Sequence, residues 1–134
     1  DTNLNFCLVM KDDYELKHPR VKVFNKVNHN VLKKIYNQCA TLVCPSRMET
    51  LHLSGIEAGA CGMPIVANQV GIYDDLKDDS RWGLLVKNGD YESGIKAILK
   101  DRETYDPRAA FLEAGLDKKT CRAKWFSLTK EITR

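Results

Sequence analysis

The chain of 134 residues contains no apolar run near the length of a membrane span, and no secretory-leader pattern stands at its start. It has no internal repeat, no low-complexity tract and no linker. Its five cysteines (Cys7, Cys39, Cys44, Cys61 and Cys121) form no C-x-x-C pair, and their number is odd. That spacing argues against a metal ribbon and against a disulfide framework. Buried, reduced thiols in a cytoplasmic protein are expected instead. The net charge of +3, with no Lys/Arg cluster interleaved with aromatics, leaves no electrostatic footprint for nucleic acid. What is present is the composition of an α/β protein, 43% hydrophobic and 29% charged, at a length that suits one domain over residues 1–134.

Short apolar runs alternate with helical periods. Strands are expected at 4–10, 21–25, 41–45, 64–68 and 83–86, all parallel, with 4–10 a buried strand. Helices are expected at about 30–39, 51–61, 90–100 and 118–131, with Asn28, Asp90 and Asp117 as N-caps and Gly62 just past a helix end. Alternation of this kind implies a Rossmann-like parallel sheet with helices on both faces.

Residues 41 to 68, TLVCPSRMETLHLSGIEAGACGMPIVAN, are the most informative. A strand breaks at Pro45-Ser46 into a polar loop, a helix follows, Gly62 stops it, and Pro64 opens another strand. Such a unit sets a helix N-terminus at the carboxyl end of a parallel strand, where free N–H groups and the helix dipole attract an anion. Leu51, His52, Leu53 and Ser54 are placed to offer those groups to a phosphate, and Thr50 is the expected N-cap. Glu49 precedes the helix and Glu57 lies inside it, about 9 Å along the axis at 1.5 Å per residue. Helical side chains tilt toward the N-terminus, so the Glu57 carboxylate leans toward the helix mouth. Leu53, Ile56 and Ala60 are expected to flank it on an apolar face. Each residue also has a plainer reading. Glu57 and Glu49 could be solvated acids, His52 an exposed loop histidine rather than a phosphate contact, and Arg47 a loop flank rather than a diphosphate contact. Gly55 and Gly59, four apart, suit close approach of this helix to a neighbour.

The pattern P-S-R-x-E-x7-E-A-x-A-x-G-x-P-I-V-A, formed here by Pro45, Ser46, Arg47, Glu49, Glu57, Ala58, Ala60, Gly62, Pro64, Ile65, Val66 and Ala67, resembles the donor-binding, C-terminal domain of family-4 retaining GT-B glycosyltransferases. The likeness continues through Val70-Gly71, Gly83 to Val86 and Asn88-Gly89-Asp90, and backwards through VKVFNKVNHNVLKKIYNQCA, covering roughly residues 4 to 100. The resemblance implies transfer of a hexose from a nucleoside-diphosphate sugar to a hydroxyl acceptor, with retention. It assigns Glu57 to the ribose, Glu49 to hydroxyls of the transferred sugar as the catalytic-site acid, and the backbone at Lys26-Val27 to the base. It implies no metal and no cofactor beyond the donor substrate. The acceptor, a glycan, a lipid or another hydroxyl compound, would be held by an N-terminal domain not represented here, and the complete enzyme could associate peripherally with a membrane. His52 departs from the small or flexible residue usual near that place. The family's first strand, with its glycine-rich turn and its Arg and Lys for the diphosphate, has no counterpart, so a fragment of a two-domain enzyme, inactive alone, is expected. The alternative is a non-catalytic or regulatory nucleotide-binding remnant of the same fold.

Overall fold

The computed structural model describes residues 3–132; the ends of the expected domain, 1–2 and 133–134, lie outside the described residues. The chain divides into two compact units, one ending at Cys39 and one beginning at Ala40.

The first unit contains β1 (Phe6–Met10), β2 (Val21–Asn25) and α1 (His29–Gln38). The two strands pair in parallel from Phe6 opposite Val21 to Met10 opposite Asn25. Lys26 extends the ladder by donating its N–H to Met10 O at 2.9 Å. The helix starts where expected: Asn28 Oδ1 accepts the Val31 N–H at 3.0 Å, satisfying one of the donors that a helix start leaves unpaired. Ile35 and Tyr36 are its buried residues. The expectation of a buried first strand fails, since Phe6 is 43% and Val9 37% exposed. Among the described residues β1 is hydrogen-bonded on one edge only, and one partner strand with one helix gives its unit little apolar cover.

The second unit contains β3 (Leu42–Cys44), α2 (Leu53–Ala60), β4 (Ile65–Ala67), α3 (Ile72–Asp75), β5 (Gly83–Leu85), α4 (Tyr91–Lys100), a 3-10 turn (Arg102–Thr104), α5 (Pro107–Glu113) and α6 (Lys118–Ile132). Its strands run parallel in the order β3-β4-β5, with Leu42 opposite Ile65 and Ile65 opposite Gly83. Among the described residues every pairing between these strands is parallel, as expected, and the antiparallel bridge of His18 with Val21 lies outside them. Among the described residues no ladder joins β1 to β3.

Side chains alternate across β4, and this alternation sorts the helices. Val66 meets α4, where a Cβ added at Gly94 would sit 2.7 Å from Val66 Cγ1 and 2.8 Å from Val86 Cγ1. Ile65 and Ala67 point the other way, into a core with Cys44, Ile72, Tyr73, Leu76, Trp82, Ala110 and Phe111. Trp82 is 1% exposed, donates Nε1–H to Leu76 O at 2.8 Å, and stacks on Tyr73 with ring centroids 4.8 Å apart. The hydrogen bond lets an indole enter the core with its one polar atom satisfied. The result is the expected α/β architecture, a parallel sheet with helices against both faces.

Helix α2 is shorter than expected and turned about its axis. It covers 53–60 rather than 51–61, and its buried residues are Gly55, Ala58 and Gly59. Leu53 is 66% exposed, and Ala60 is exposed. The expected apolar face of Leu53, Ile56 and Ala60 therefore survives only in the half-buried Ile56. The glycines set the phase. A Cβ at Gly59 would lie 2.6 Å from Phe111 Cδ2, and one at Gly55 would overlap the Tyr73 hydroxyl, so the bare stripe faces its neighbours. Gly62, at φ 77°, ends the helix as expected. The expectation of buried thiols holds only for Cys44. All five cysteines are free, but Cys7 and Cys121 are exposed and Cys39 and Cys61 are half-buried.

Candidate functional site

Strand β3 ends at Cys44, and the chain crosses from there to α2 through residues 45–52. Three contacts fix this loop. Asn68 Nδ2 donates to Ser46 O at 2.9 Å, tying it to the end of β4. Ser46 Oγ donates to Glu49 Oε1 at 2.8 Å. Gly71, at φ 53°, lies so close that an added Cβ would be 3.0 Å from Thr50 O and 3.2 Å from Glu49 O. Glycine is required there for both reasons. Gly71 thus packs directly against the loop, and Tyr73, two residues on, reaches His52.

The start of α2 differs from expectation. Its N-cap is His52, in the left-handed region at φ 53° and ψ 69°, with no side-chain cap hydrogen bond. Thr50 is two residues too early to cap it. Thr50 and Leu51 stay in the loop and are exposed. The first helical N–H groups to find an acceptor are those of Gly55 and Ile56, both donating to His52 O, at 3.0 and 3.3 Å. Among the described residues no protein acceptor takes the N–H of Leu53 or Ser54, and both residues are exposed. A cap hydroxyl would have competed with a ligand for these groups; His52 leaves them open.

The His52 side chain is held on both sides. Its Nδ1 meets the Tyr73 hydroxyl, and its Nε2 lies 3.0 Å from Ser54 Oγ. Its ring tilts at 59° to that of Tyr73, with centroids 5.5 Å apart. Burial pushes its pKa below the usual histidine value, and the Glu49 carboxylate pulls weakly the other way. Burial thus favours the neutral imidazole. Non-glycine residues seldom adopt this backbone shape, although histidine is among those that do so more readily. The departure from a small residue seen in the sequence is thus a histidine in glycine-like geometry.

Glu49 is half-buried beside this histidine, and Glu57 is exposed on α2, one turn beyond the open N–H groups. The second unit therefore gathers Glu49, His52, Leu53, Ser54 and Glu57 around one helix mouth. Arg47 is exposed on the loop, next to a Met48 that is 88% exposed. Lys26 and Val27 belong to the first unit. There Lys26, at φ 51°, pairs its ammonium with Asp13, and Val27 is half-buried. Two contacts of the site were not read from the sequence. Tyr73 supports His52 from α3, and the Cys44 thiol lies close to Glu49 and His52. No spacing rule could have joined Cys44 or Tyr73 to His52, because the loop and β4 bring them together.

A family model described as glycosyl transferases group 1 matches residues 4–101. The chain belongs to this family. The matched residues of this group 1 glycosyl transferase chain include the helix mouth and both glutamates. Among curated proteins it is similar to a D-inositol 3-phosphate glycosyltransferase of Stackebrandtia nassauensis, at 35% identity over 94 residues, 70% of this chain and 21% of that protein. It is similar to a sulfoquinovosyl transferase of Arabidopsis thaliana at 30% identity over 121 residues, 75% of this chain and 24% of that protein. An alpha-maltose-1-phosphate synthase of Mycolicibacterium smegmatis is 34% identical over 79 residues, 59% of this chain and 18% of that protein. The chain thus spans about a fifth to a quarter of the length of these relatives. No helix of the described residues is long and apolar enough to cross a membrane.

Proposed function

We propose that this chain is the donor-binding part of a retaining GT-B glycosyltransferase of two domains, which moves a hexose from a nucleoside-diphosphate sugar to a hydroxyl acceptor in the cytoplasm. The observation that supports this most is the open pair of N–H groups at Leu53 and Ser54, with a carboxylate before and after it. The donor's phosphate docks on these groups and on the positive end of the helix dipole. Glu57 accepts two hydroxyl hydrogen bonds from the ribose diol, which a carboxylate can do with both oxygens. Glu49, oriented by Ser46, positions the transferred sugar. Lys26-Val27 supplies main-chain groups to the base. As the bond to the sugar breaks, charge grows on the leaving diphosphate, and donors already in place stabilise it without reorganising. The donor is a substrate, and no cofactor is required. The acceptor is a glycan, lipid or other hydroxyl compound held by the rest of the enzyme.

A thermal-shift panel of nucleoside-diphosphate sugars on the complete protein tests this reading. A ligand at about 100 times its Kd adds about 2.7 kcal/mol of stability. One nucleotide class should raise Tm, with and without its sugar, and the complete enzyme should transfer that sugar. No shift with any nucleotide would overturn the reading. Binding without transfer or donor hydrolysis would favour the nucleotide-binding module that lacks catalysis.

A further inference from the structure

We propose that Cys44, Glu49 and His52 form a site for a divalent cation of the zinc class. One ligand atom of each, a thiol sulfur, a carboxylate oxygen and an imidazole nitrogen, lies within 4.8 Å of the other two. A point central to three donors so spaced is at most about 2.8 Å from each, against about 2.0–2.3 Å in a formed zinc site. Closing the difference takes a fraction of an ångström per side chain, within the reach of small χ rotations.

The chemistry of the donor set selects the ion. Thiolate with imidazole suits zinc, while magnesium and calcium take oxygen donors almost alone. Three protein ligands leave a fourth position open, as in zinc sites that admit a further ligand. The surroundings are those that orient metal ligands. Ser46 Oγ donates to Glu49 Oε1, leaving the second carboxylate oxygen for the ion. His52 has a partner on each ring nitrogen, Tyr73 on one and Ser54 on the other. When one nitrogen turns to the ion, the other keeps its hydrogen bond and fixes the ring, the usual outer-shell arrangement. Cys44 is 1% exposed, and Glu49 and His52 are half-buried, so the ion would be shielded on its protein side. Binding transfers the Cys44 thiol proton to solvent, since the thiolate is the ligand. The left-handed backbone at His52, unusual outside glycine, is what brings its ring to this position.

Glu49 is shared between this site and the proposed sugar contact. On the donor reading given above, a bound zinc ion and a nucleoside-diphosphate sugar compete, which makes zinc an inhibitor rather than a cofactor.

The test is a titration of the full chain with Zn2+ against a chromophoric chelator under a non-thiol reductant, repeated with Co2+ as a spectroscopic probe. One ion should bind, and the cobalt form should show a near-ultraviolet thiolate-to-metal charge-transfer band. Cys44→Ala should abolish the band. His52→Gly and Glu49→Gln should each weaken zinc binding at least about tenfold. His52→Gly also guards against misfolding, because glycine adopts this backbone shape readily and Trp82 fluorescence reports the core. Cys7→Ser and Cys39→Ser should leave binding unchanged. Equal zinc affinity in wild type and His52→Gly, or a band lost through Cys7 or Cys39 instead of Cys44, would overturn the proposal. Absence of zinc binding would sink it without touching the donor reading. Zinc binding that leaves nucleoside-diphosphate-sugar binding unaffected would retain the metal site and count against Glu49 as a sugar contact.

Discussion

One of the contacts that place α2, Gly59 against the ring of Phe111 in α5, can be measured as a coupling. A Cβ at Gly59 would sit 2.6 Å from Phe111 Cδ2 and 3.1 Å from Cζ, and Phe111 is only 4% exposed, so the ring has little room to retreat. Gly59→Ala gains about 1 kcal/mol of helix propensity and loses about 1–3 kcal/mol to overpacking, a net cost of about 0–2 kcal/mol. Phe111→Ala should cost about 3–5 kcal/mol by emptying the core position. Independent effects would give the double variant a cost of about 3–7 kcal/mol. With the ring gone, however, the new Cβ meets open volume and only its propensity gain remains, so the double variant should lose about 2–4 kcal/mol. The expected coupling is therefore about 1–3 kcal/mol. Urea unfolding followed by Trp82 fluorescence, in a Trp125→Phe background that silences the exposed tryptophan, reads this core directly. Additivity within about 0.5 kcal/mol would show that α2 does not rest on Phe111 through its glycine face.

Gly83→Ala should be poorly tolerated. Its φ is 152°, and a Cβ there would lie 2.7 Å from Ile65 N and 2.8 Å from Ile65 C, backbone that cannot move without breaking the β4–β5 ladder. A loss beyond about 3 kcal/mol is expected, visible as lost Trp82 burial or insoluble expression, and near-wild-type stability would contradict the register. Acid stability offers another check. Arg81 hydrogen-bonds both Asp79 and Glu113 and lowers the pKa of each below its ordinary value of 3.8 or 4.5. A carboxylate with a depressed folded pKa contributes stability above its unfolded pKa and loses it as pH falls through the folded value. Wild-type Tm should therefore drop more steeply below about pH 4.5 than that of Arg81→Met, with a small difference because Glu113 is exposed and Asp79 and Arg81 are only half-buried. Parallel Tm curves down to pH 2 would show that the cluster contributes nothing.

The strand and helix order was legible because each run carries its own period and its own punctuation. Val21–Asn25 came out to the residue, and Asn28, Asp90 and Asp117 cap helices through side-chain oxygens where local chemistry says they should. The rotation of α2 was legible only in part: Gly55 and Gly59 suggested close approach to a neighbour and do face Tyr73 and Phe111, but the apolar face was misjudged. Leu53, Ile56 and Ala60 look like an apolar face by composition, but close approach to Phe111 and Tyr73 turned Gly55, Ala58 and Gly59 inward, and that preference resides in α3 and α5. The cap was missed for a related reason. Thr50 has the better capping side chain, yet the loop held by Asn68 and Gly71 delivers His52 to the helix start. The acids of the candidate site were picked out by their place on either side of a helix start and by the family resemblance, which alone supplied their roles. Cys44 and Tyr73 enter it only through the fold.

On the proposed function Glu57 holds the nucleotide and Glu49 the transferred sugar, and the binding of free nucleoside diphosphate to the complete enzyme separates the two roles. Charge-assisted hydrogen bonds to a ribose are worth about 1.5–3 kcal/mol, so Glu57→Ala should raise the Kd for the diphosphate by about 10- to 150-fold. The fold should be unaffected, since residue 57 is exposed on α2 and alanine is the better helix former. Glu49→Ala should leave that Kd within about twofold and lower kcat for transfer instead. Isothermal titration of the two variants with the diphosphate identified by the thermal-shift panel decides the matter. Selective loss at Glu57 is the expected result; equal loss at both positions, or no loss at either, would contradict the assigned roles.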